Sequence, residues 1–320
     1  MSFDLLKEIG EANSIGITGH IKPDGDCIGS CLALLMYLRK VFPDRKTELF
    51  LEKIAPCFKN IPGRELIVSD FPDRPAFDVF IVCDTNKERT GDAEKYFDAA
   101  VKTINIDHHI SNKDGCAMVN HVEPDASAAG EVLFKLMEKQ YLDKDISKLL
   151  CMAIAHDTGG FHYSNTTPDT HRIAAELLEY GFDYAGMMDE TFYFKTYKQN
   201  KLISEVVMES KLHLKGKVIS GTLTLDRMHK LGVTKDDTDG IVNQLRITEG
   251  VECAIFVYEK KPGVFKASLR ASTDNIDVSK LAEHFGGGGH VRASGCEREG
   301  VTIEEFVDEL VKEAALQLDV

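Results

Sequence analysis

A chain of 320 residues exceeds what one hydrophobic core ordinarily organises, so two domains are expected. Its hydrophobic content of 43% and charged content of 28% are those of an ordinary globular protein. The net charge of −14 is carried by acids spread along the chain, which argues against a surface for long nucleic acid, because such binding rests on Lys and Arg neutralising phosphates.

The first residues, "MSFDLLKEIGEANS", read as an amphipathic helix rather than a leader, and no apolar run approaches the roughly 18 residues of a membrane span. The cysteines form no CxxC pair, and several lie in apolar runs such as "FIVCDT" and "LLCMAIA". Buried free thiols in a reducing cytoplasm are expected. "SIGITGH" reads as a short strand, and "IGSCLALLMYLRKVF" repeats apolar residues at helical spacing through Ile28, Leu32, Leu35 and Met36. "TELFL" follows as a strand. "FDVFIVCDT" is continuously apolar, as a strand covered on both faces of a parallel sheet should be. "VKTINIDHH" is another strand, with Val101, Ile104 and Ile106 as its apolar members. Helices are predicted at "ASAAGEVLFKLMEKQY", "ISKLLCMAIAHD" and "PDTHRIAAELLEYG", the last bounded by Pro168 and Gly181.

This alternation predicts an α/β fold, a mostly parallel sheet flanked by helices with right-handed crossovers. Ligands of such sheets bind beyond the carboxyl ends of the strands. His20 ends the first strand, Asp84 ends "FIVCD", and Asp107, His108 and His109 end "INIDHH". Asp157 follows the helix "KLLCMAIAHD", where "HDTGG" can turn the chain back toward that edge. A lone Asp at a strand end ordinarily caps a turn. Three independent strands delivering acid or imidazole to one edge point to a metal site instead.

Crowded carboxylates raise one another's pKa unless cations lie between them. Asp24, Asp26, Asp84 and Asp157 carry four negative charges, which two divalent ions neutralise. Asp24 and Asp26, separated by Gly25, can face different ions, and Asp84, central in the sheet, is the natural bridge. A mixed imidazole and carboxylate set suits Mn²⁺ better than Ca²⁺ or Mg²⁺, with Zn²⁺, Fe²⁺ and Co²⁺ as alternatives. Paired metals of this kind activate water for attack on a phosphoester or phosphoanhydride.

"HIKPDGDCIGS", "VCDT", "IDHH" and "HDTGGF" resemble, in order and spacing, the four successive motifs of the DHH phosphoesterase superfamily. Within it, the chain resembles the oligoribonuclease/pAp phosphatases of the NrnA type. The resemblance implies that His20, Asp24 and Asp84 hold one metal, and that Asp26, Asp84, His108 and Asp157 hold the other. It implies that His109 touches the scissile phosphate and that Asp107 orients its neighbours.

Beyond Gly181 the pattern changes. "YAGMMDETFYFKTYKQNKLISEVVMES" reads as helical linker, and "TFYFKTY" as an aromatic hinge or interface. "KVISGTLTL", "VECAIFVYEKK" and "GVFKASLRAS" read as strands, the last two joined as a hairpin across "KKPG". "VSKLAEHFGGGGHVRASG" is a helix running into four glycines, and a final helix covers "TIEEFVDELVKEAALQL". Glycine backbone amides can form an anion-binding concavity. "KASLRAS" with "FGGGGHVRASG" resembles the DHH-associated C-terminal domain, a smaller α/β domain with a mixed sheet. That resemblance implies that Gly287, Gly288, Gly289, His290 and Arg270 bind the substrate's terminal nucleotide or phosphate. Arg89 in "CDTNKERTGD" is a further candidate, equally readable as a surface ion-pair residue.

The expected organisation is a DHH domain over residues 1–186, a helical linker over 187–210 and a substrate-binding domain over 211–320, with the active-site cleft between the two domains. The expected activity is metal-dependent hydrolysis of short oligonucleotides and of 3′,5′-bisphosphonucleosides such as pAp, with cyclic dinucleotides as further substrates. Inorganic pyrophosphatase or exopolyphosphatase activity is the alternative within the superfamily. A non-catalytic nucleotide sensor is the alternative outside enzymology. No membrane partner is expected, and self-association as a homodimer is left open.

Overall fold

The computed structural model describes residues 3–318 and divides into two compact units, Met1–Phe194 and Lys195–Val320. In the first unit the strands are β1 (Ser14–Thr18), β2 (Lys46–Phe50), β3 (Ile67–Val68), β4 (Val79–Cys83), β5 (Lys102–Asp107) and β6 (Val119–Val122). They form one sheet in the order β3-β2-β1-β4-β5-β6, and every pairing is parallel. The order reverses between β1 and β4, the switch point where open α/β sheets bind ligands.

The helices of this unit are α1 (Leu5–Ile9), α2 (Gly25–Val41), α3 (Glu94–Ala99), α4 (Ala129–Leu136), α5 (Lys144–Asp157), α6 (Pro168–Leu178) and α7 (Tyr184–Met188). The continuous apolar run of β4 has a simple cause. Val79, Ile81 and Cys83 face a core shared with α2, α4 and α5, while Phe80 and Val82 face an aromatic core with Phe50, Phe77, Tyr96 and Phe97. Alternate residues of a strand point to opposite faces, so both must be apolar here. The β5 strand begins one residue later than its apolar pattern suggests: Val101 is 71% exposed, and Asn105 is a wholly buried polar member.

α6 opens at Pro168 with a reciprocal capping box between Thr167 and Thr170. The stretch 187–210 is divided rather than continuous. Met187 and Met188 pack in the first unit's core, and α8 (Tyr197–Met208) sends Leu202 and Val206 into the second unit's core.

In the second unit β7 (Lys211–His213), β8 (Val218–Leu223), β9 (Cys253–Lys261), β10 (Val264–Ala271), β11 (Gly288–His290) and β12 (Ala293–Glu299) form a mixed sheet in the order β11-β12-β10-β9-β8-β7. Only β8 and β9 run parallel among the described pairs. One face carries α11 (Val278–His284) and α12 (Ile303–Leu318), the other α8, α9 (Leu225–Leu231) and α10 (Ile241–Arg246). β9 and β10 form the hairpin expected across "KKPG", with Gly263 at positive φ in its turn. No helix among the described residues is long and apolar enough to cross a membrane.

Candidate active site

The carboxyl ends of β1, β4 and β5 bring His20, Asp84, His108 and His109 together, and the first turn of α2 and the last residue of α5 add Asp26 and Asp157. Asp84 stands at the centre, 2% exposed and at positive φ, its N–H donating to the Ile106 carbonyl at 2.9 Å. Its Oδ2 lies 3.6 Å from His20 Nε2, and its Oδ1 lies 3.4 Å from His108 Nε2. One carboxylate therefore faces His20 through one oxygen and His108 through the other, with His109 Nδ1 a further 3.7 Å neighbour of Oδ1.

His20 is oriented by donating from Nδ1 to the Ile21 carbonyl at 2.8 Å, which leaves Nε2 directed at Asp84 and at Asp24 Oδ2, 3.6 Å away. Asp24 caps α2, its Oδ1 accepting from the amides of Asp26 and Cys27 at 3.1 Å, and its side chain is 61% exposed at the rim of the cluster. Asp26 is buried. It accepts from Ser30 Oγ at 2.7 Å and from the first two amides of α4, Ala129 at 2.8 Å and Gly130 at 3.1 Å. His108 Nε2 lies 3.6 Å from Asp26 Oδ2 and 3.7 Å from Asp157 Oδ2, with Nδ1 donating to the Ala126 carbonyl at 3.3 Å.

Asp107, wholly buried, accepts at Oδ1 from the amides of His108 and His109 and from His109 Nδ1 at 2.8 Å, and at Oδ2 from Asn112 Nδ2 at 2.6 Å. That saturation fixes the His109 ring with Nδ1 committed and Nε2 available.

Charge crowding is visible in the protonation of these groups. Burial, then the charges of Asp26, Asp24, Asp157 and Asp107, pushes the Asp84 carboxyl well above the usual range. Burial and the charge of Asp26 lift Asp157 to about 7. Burial opposes the charge of His20, but Asp24, 3.6 Å away, and the other negative charge nearby outweigh that and raise it to about 9. Asp24 is affected in the opposite sense: although its side chain is largely exposed, the protein around it partly desolvates its anion, and His20 and the Cys27 amide outweigh that and pull it down to about 2.

The donor set fits divalent cations. Asp84 Oδ1 and His108 Nε2 are buried and have no hydrogen-bond partner, an arrangement that is costly for polar atoms unless a cation lies between them. Three triplets bring their ligand atoms within 4.8 Å of one another: His20, Cys27 and Asp84; Asp84, His108 and His109; Asp26, His108 and Asp157. With its Nδ1 given to Asp107, His109 is better placed to face a ligand than to hold a metal through that nitrogen.

Several supporting residues were not singled out from sequence. Asn105 donates to the carbonyls of Val82 and Thr85, and Asn112 joins it to Asp107, so a buried amide pair holds the backbone on either side of Asp84. Asn165 donates to the carbonyls of Ser127 and Asp157 at 3.0 and 3.2 Å. A polar residue inside the apolar strand "TINID" was the available signal for Asn105. Cys27 carried none, because it reads as one more apolar position of α2.

Arg89 lies in a short helical turn after β4, its side chain exposed and its carbonyl accepting from the Ile21 amide at 2.8 Å. In the second unit, Arg270 and His290 share a row of the sheet, since both pair with Ala293, one from β10 and the other from β11. Residues directly opposite point to the same face, so the two side chains share a face about 10 Å apart along the pairing direction. Arg270 donates from Nη1 to the Leu269 carbonyl at 3.0 Å. The glycine run is not an open loop. Gly288 and Gly289 belong to β11, and Cβ atoms at 287 and 289 would overlap the Gly295 carbonyl and the backbone of Ala293 and Ser294. A Cβ at 288 would meet nothing within 4 Å.

A six-stranded parallel sheet that gathers these acids and imidazoles at its switch point, followed by a mixed-sheet unit, is the architecture of a phosphoesterase. The chain belongs to the DHH family: the model for the DHH family, N-terminal domain, matches residues 14–154, and that for the DHHA1 domain matches residues 215–318. It is thereby a hydrolase acting on phosphoester bonds. A Streptococcus mutans protein named as a probable bifunctional oligoribonuclease and PAP phosphatase NrnA is 31% identical over 296 residues, 91% of each chain. The Thermus thermophilus bifunctional oligoribonuclease and PAP phosphatase NrnA is 27% identical over 303 residues, 93% of this chain and 88% of that one. A crystal structure of an exopolyphosphatase-related protein from Bacteroides fragilis matches with a TM-score of 0.87 at 26% identity, over 97% of this chain and 95% of that chain.

Proposed function

We propose that this chain hydrolyses short oligonucleotides, linear dinucleotides among them, and 3′,5′-bisphosphonucleosides such as pAp, using two divalent cations, in the first instance Mn²⁺. The observation that carries the two-metal reading is Asp84, whose two oxygens face His20 and His108 separately. His20, Asp24 and Asp84 would hold one cation, and Asp26, Asp84, His108 and Asp157 the other. Such a pair supplies Lewis acidity that activates water and neutralises charge on a phosphoryl group.

The protein's own groups do the rest. The α4 amides and Ser30 lock Asp26, the Asn105–Asn112 pair steadies the turn that carries Asp84, and Asp107 orients His109 so that Nε2 meets a phosphoryl oxygen. A group held there stabilises charge developing in the transition state. Arg270 and His290, on one face of the second unit's sheet, are assigned to the substrate's terminal phosphate or nucleotide, with Gly287, Gly288 and Gly289 beside them and Arg89 in the first unit as a further phosphate contact.

The names of the two NrnA relatives support this substrate class, and a net charge of −14 suits a small substrate held locally rather than a long polyanion. The test is turnover of a panel by the purified full chain in Mn²⁺: a dinucleotide, pAp, a cyclic dinucleotide and pyrophosphate. Hydrolysis of dinucleotide and pAp is expected. Hydrolysis of pyrophosphate alone would overturn the substrate assignment, and binding without turnover of any substrate would make the chain a sensor.

A further inference from the structure

Cys27 lies in the first turn of α2, directly after Asp26, and is wholly buried. Its Sγ, a His20 nitrogen and an Asp84 oxygen all lie within 4.8 Å of one another. Donors around a tetrahedral Zn²⁺, with bonds of roughly 2.0–2.3 Å, sit about 3.5 Å apart, so modest side-chain rotation brings the three onto one ion. The sulfur's place is also prepared by the backbone. A Cβ at Gly19, the residue before His20, would overlap Cys27 Sγ and lie 3.2 Å from Cys31 Sγ. Asp84, one of the three donors, is 2% exposed and turns its Oδ2 toward His20 Nε2 at 3.6 Å. The other half of the cluster, Asp26, His108 and Asp157, contains only oxygen and imidazole donors.

We propose that the Cys27 thiolate is a metal ligand, joining His20, Asp24 and Asp84 in a half-site that accepts Mn²⁺ but favours a thiophilic divalent cation such as Zn²⁺, Fe²⁺ or Co²⁺. The Asp26–His108–Asp157 half-site is left to a harder ion such as Mn²⁺. The thiol proton is released to solvent as the sulfur–metal bond forms. The two metal positions are therefore chemically unequal. The competing account is a purely structural thiol cluster, since Cys27, Cys31 and Cys83 are all buried in the same core.

The inference rests on the two-metal reading, and one titration separates their failures. Metal-stripped full-length protein is titrated with Co²⁺, following bound cobalt and near-ultraviolet absorption. Two equivalents should bind, one of them bringing a thiolate-to-cobalt charge-transfer band. Cys27→Ser should lose the band, and Cys31→Ala should keep it. Loss of Cys27 should also lower the preference for Zn²⁺ over Mn²⁺ at one position by more than the roughly 10–100-fold typical of an outer-shell partner. Two equivalents bound without the band, or a band that survives Cys27→Ser, would overturn the Cys27 assignment and leave the two-metal reading standing. No cobalt bound would overturn both. Should Cys27→Ser not fold, X-ray absorption of the Zn²⁺-loaded wild type decides: one sulfur at about 2.3 Å supports the ligand, and a shell of only nitrogen and oxygen refutes it.

Discussion

Asp84 is the residue on which most of the site converges. Its backbone sits at φ +59, a conformation that Asn tolerates nearly as well as Asp, so Asp84→Asn removes the charge with little added strain. In chelator the variant should melt above wild type, because one of several crowded carboxylates has become neutral. With metal present it should melt below wild type, bind fewer ions than His20→Ala and show no turnover. Equal metal content in Asp84→Asn and wild type would refute the bridging role. The same crowding sets a pH dependence in the metal-free protein. Folding raises Asp157 to about 7 and His20 to about 9, each above its ordinary value, so folding takes up protons. Their contribution to stability is complete below the ordinary values, near 3.8 and 6.5, and is lost as pH rises through 7 and then 9. Thermal melts in chelator should therefore fall between pH about 4 and about 9, with the part of the fall below about 7 missing in Asp157→Asn. A melt that does not move over this range would show that the cluster is not crowded in solution.

Among the elements, β11 is where two readings of one motif can be told apart. Glycines at 287 and 289 are required by close approach to β12, whereas Gly288 faces open space. Gly287→Ala should destabilise the second unit by about 1–3 kcal/mol through overpacking, whatever the run binds. Gly288→Ala should leave the melt unchanged. If the run holds a phosphate through its amides, Gly288→Ala should raise KM for pAp, because a methyl group then stands in the approach. An unchanged KM there would make the glycines packing residues only.

Across the whole molecule, the chemistry is assigned to the first unit and the grip on the substrate's end to the second. His290→Ala should leave metal content untouched and weaken turnover of pAp mainly through KM, while sparing an activated diester such as bis-p-nitrophenyl phosphate, which has no nucleotide end to grip. His109→Ala should slow both substrates, since a group beside the reacting phosphate acts on either. Equal impairment of both substrates by His290→Ala would place the second unit in the catalytic centre.

What the amino-acid sequence determined by itself was the alternation of strands and helices, the parallel sheet and the identity of the clustered acids and imidazoles. Those signals are local: apolar periodicity, turn residues and short motifs at strand ends. The sequence reading placed His20, Asp84 and His108 at one sheet edge because parallel strands share a carboxyl end. Only the tertiary structure decided that each oxygen of Asp84 meets a different imidazole, that α4 amides hold Asp26, and that Asn105 and Asn112 brace the turn beneath. It also decided that 287–290 is largely strand and that Cys27, within the first unit's core, stands beside His20. These depend on contacts between residues distant in the chain, and an apolar or small residue looks the same in sequence whether it fills a core, lines a strand pair or turns its sulfur toward a metal.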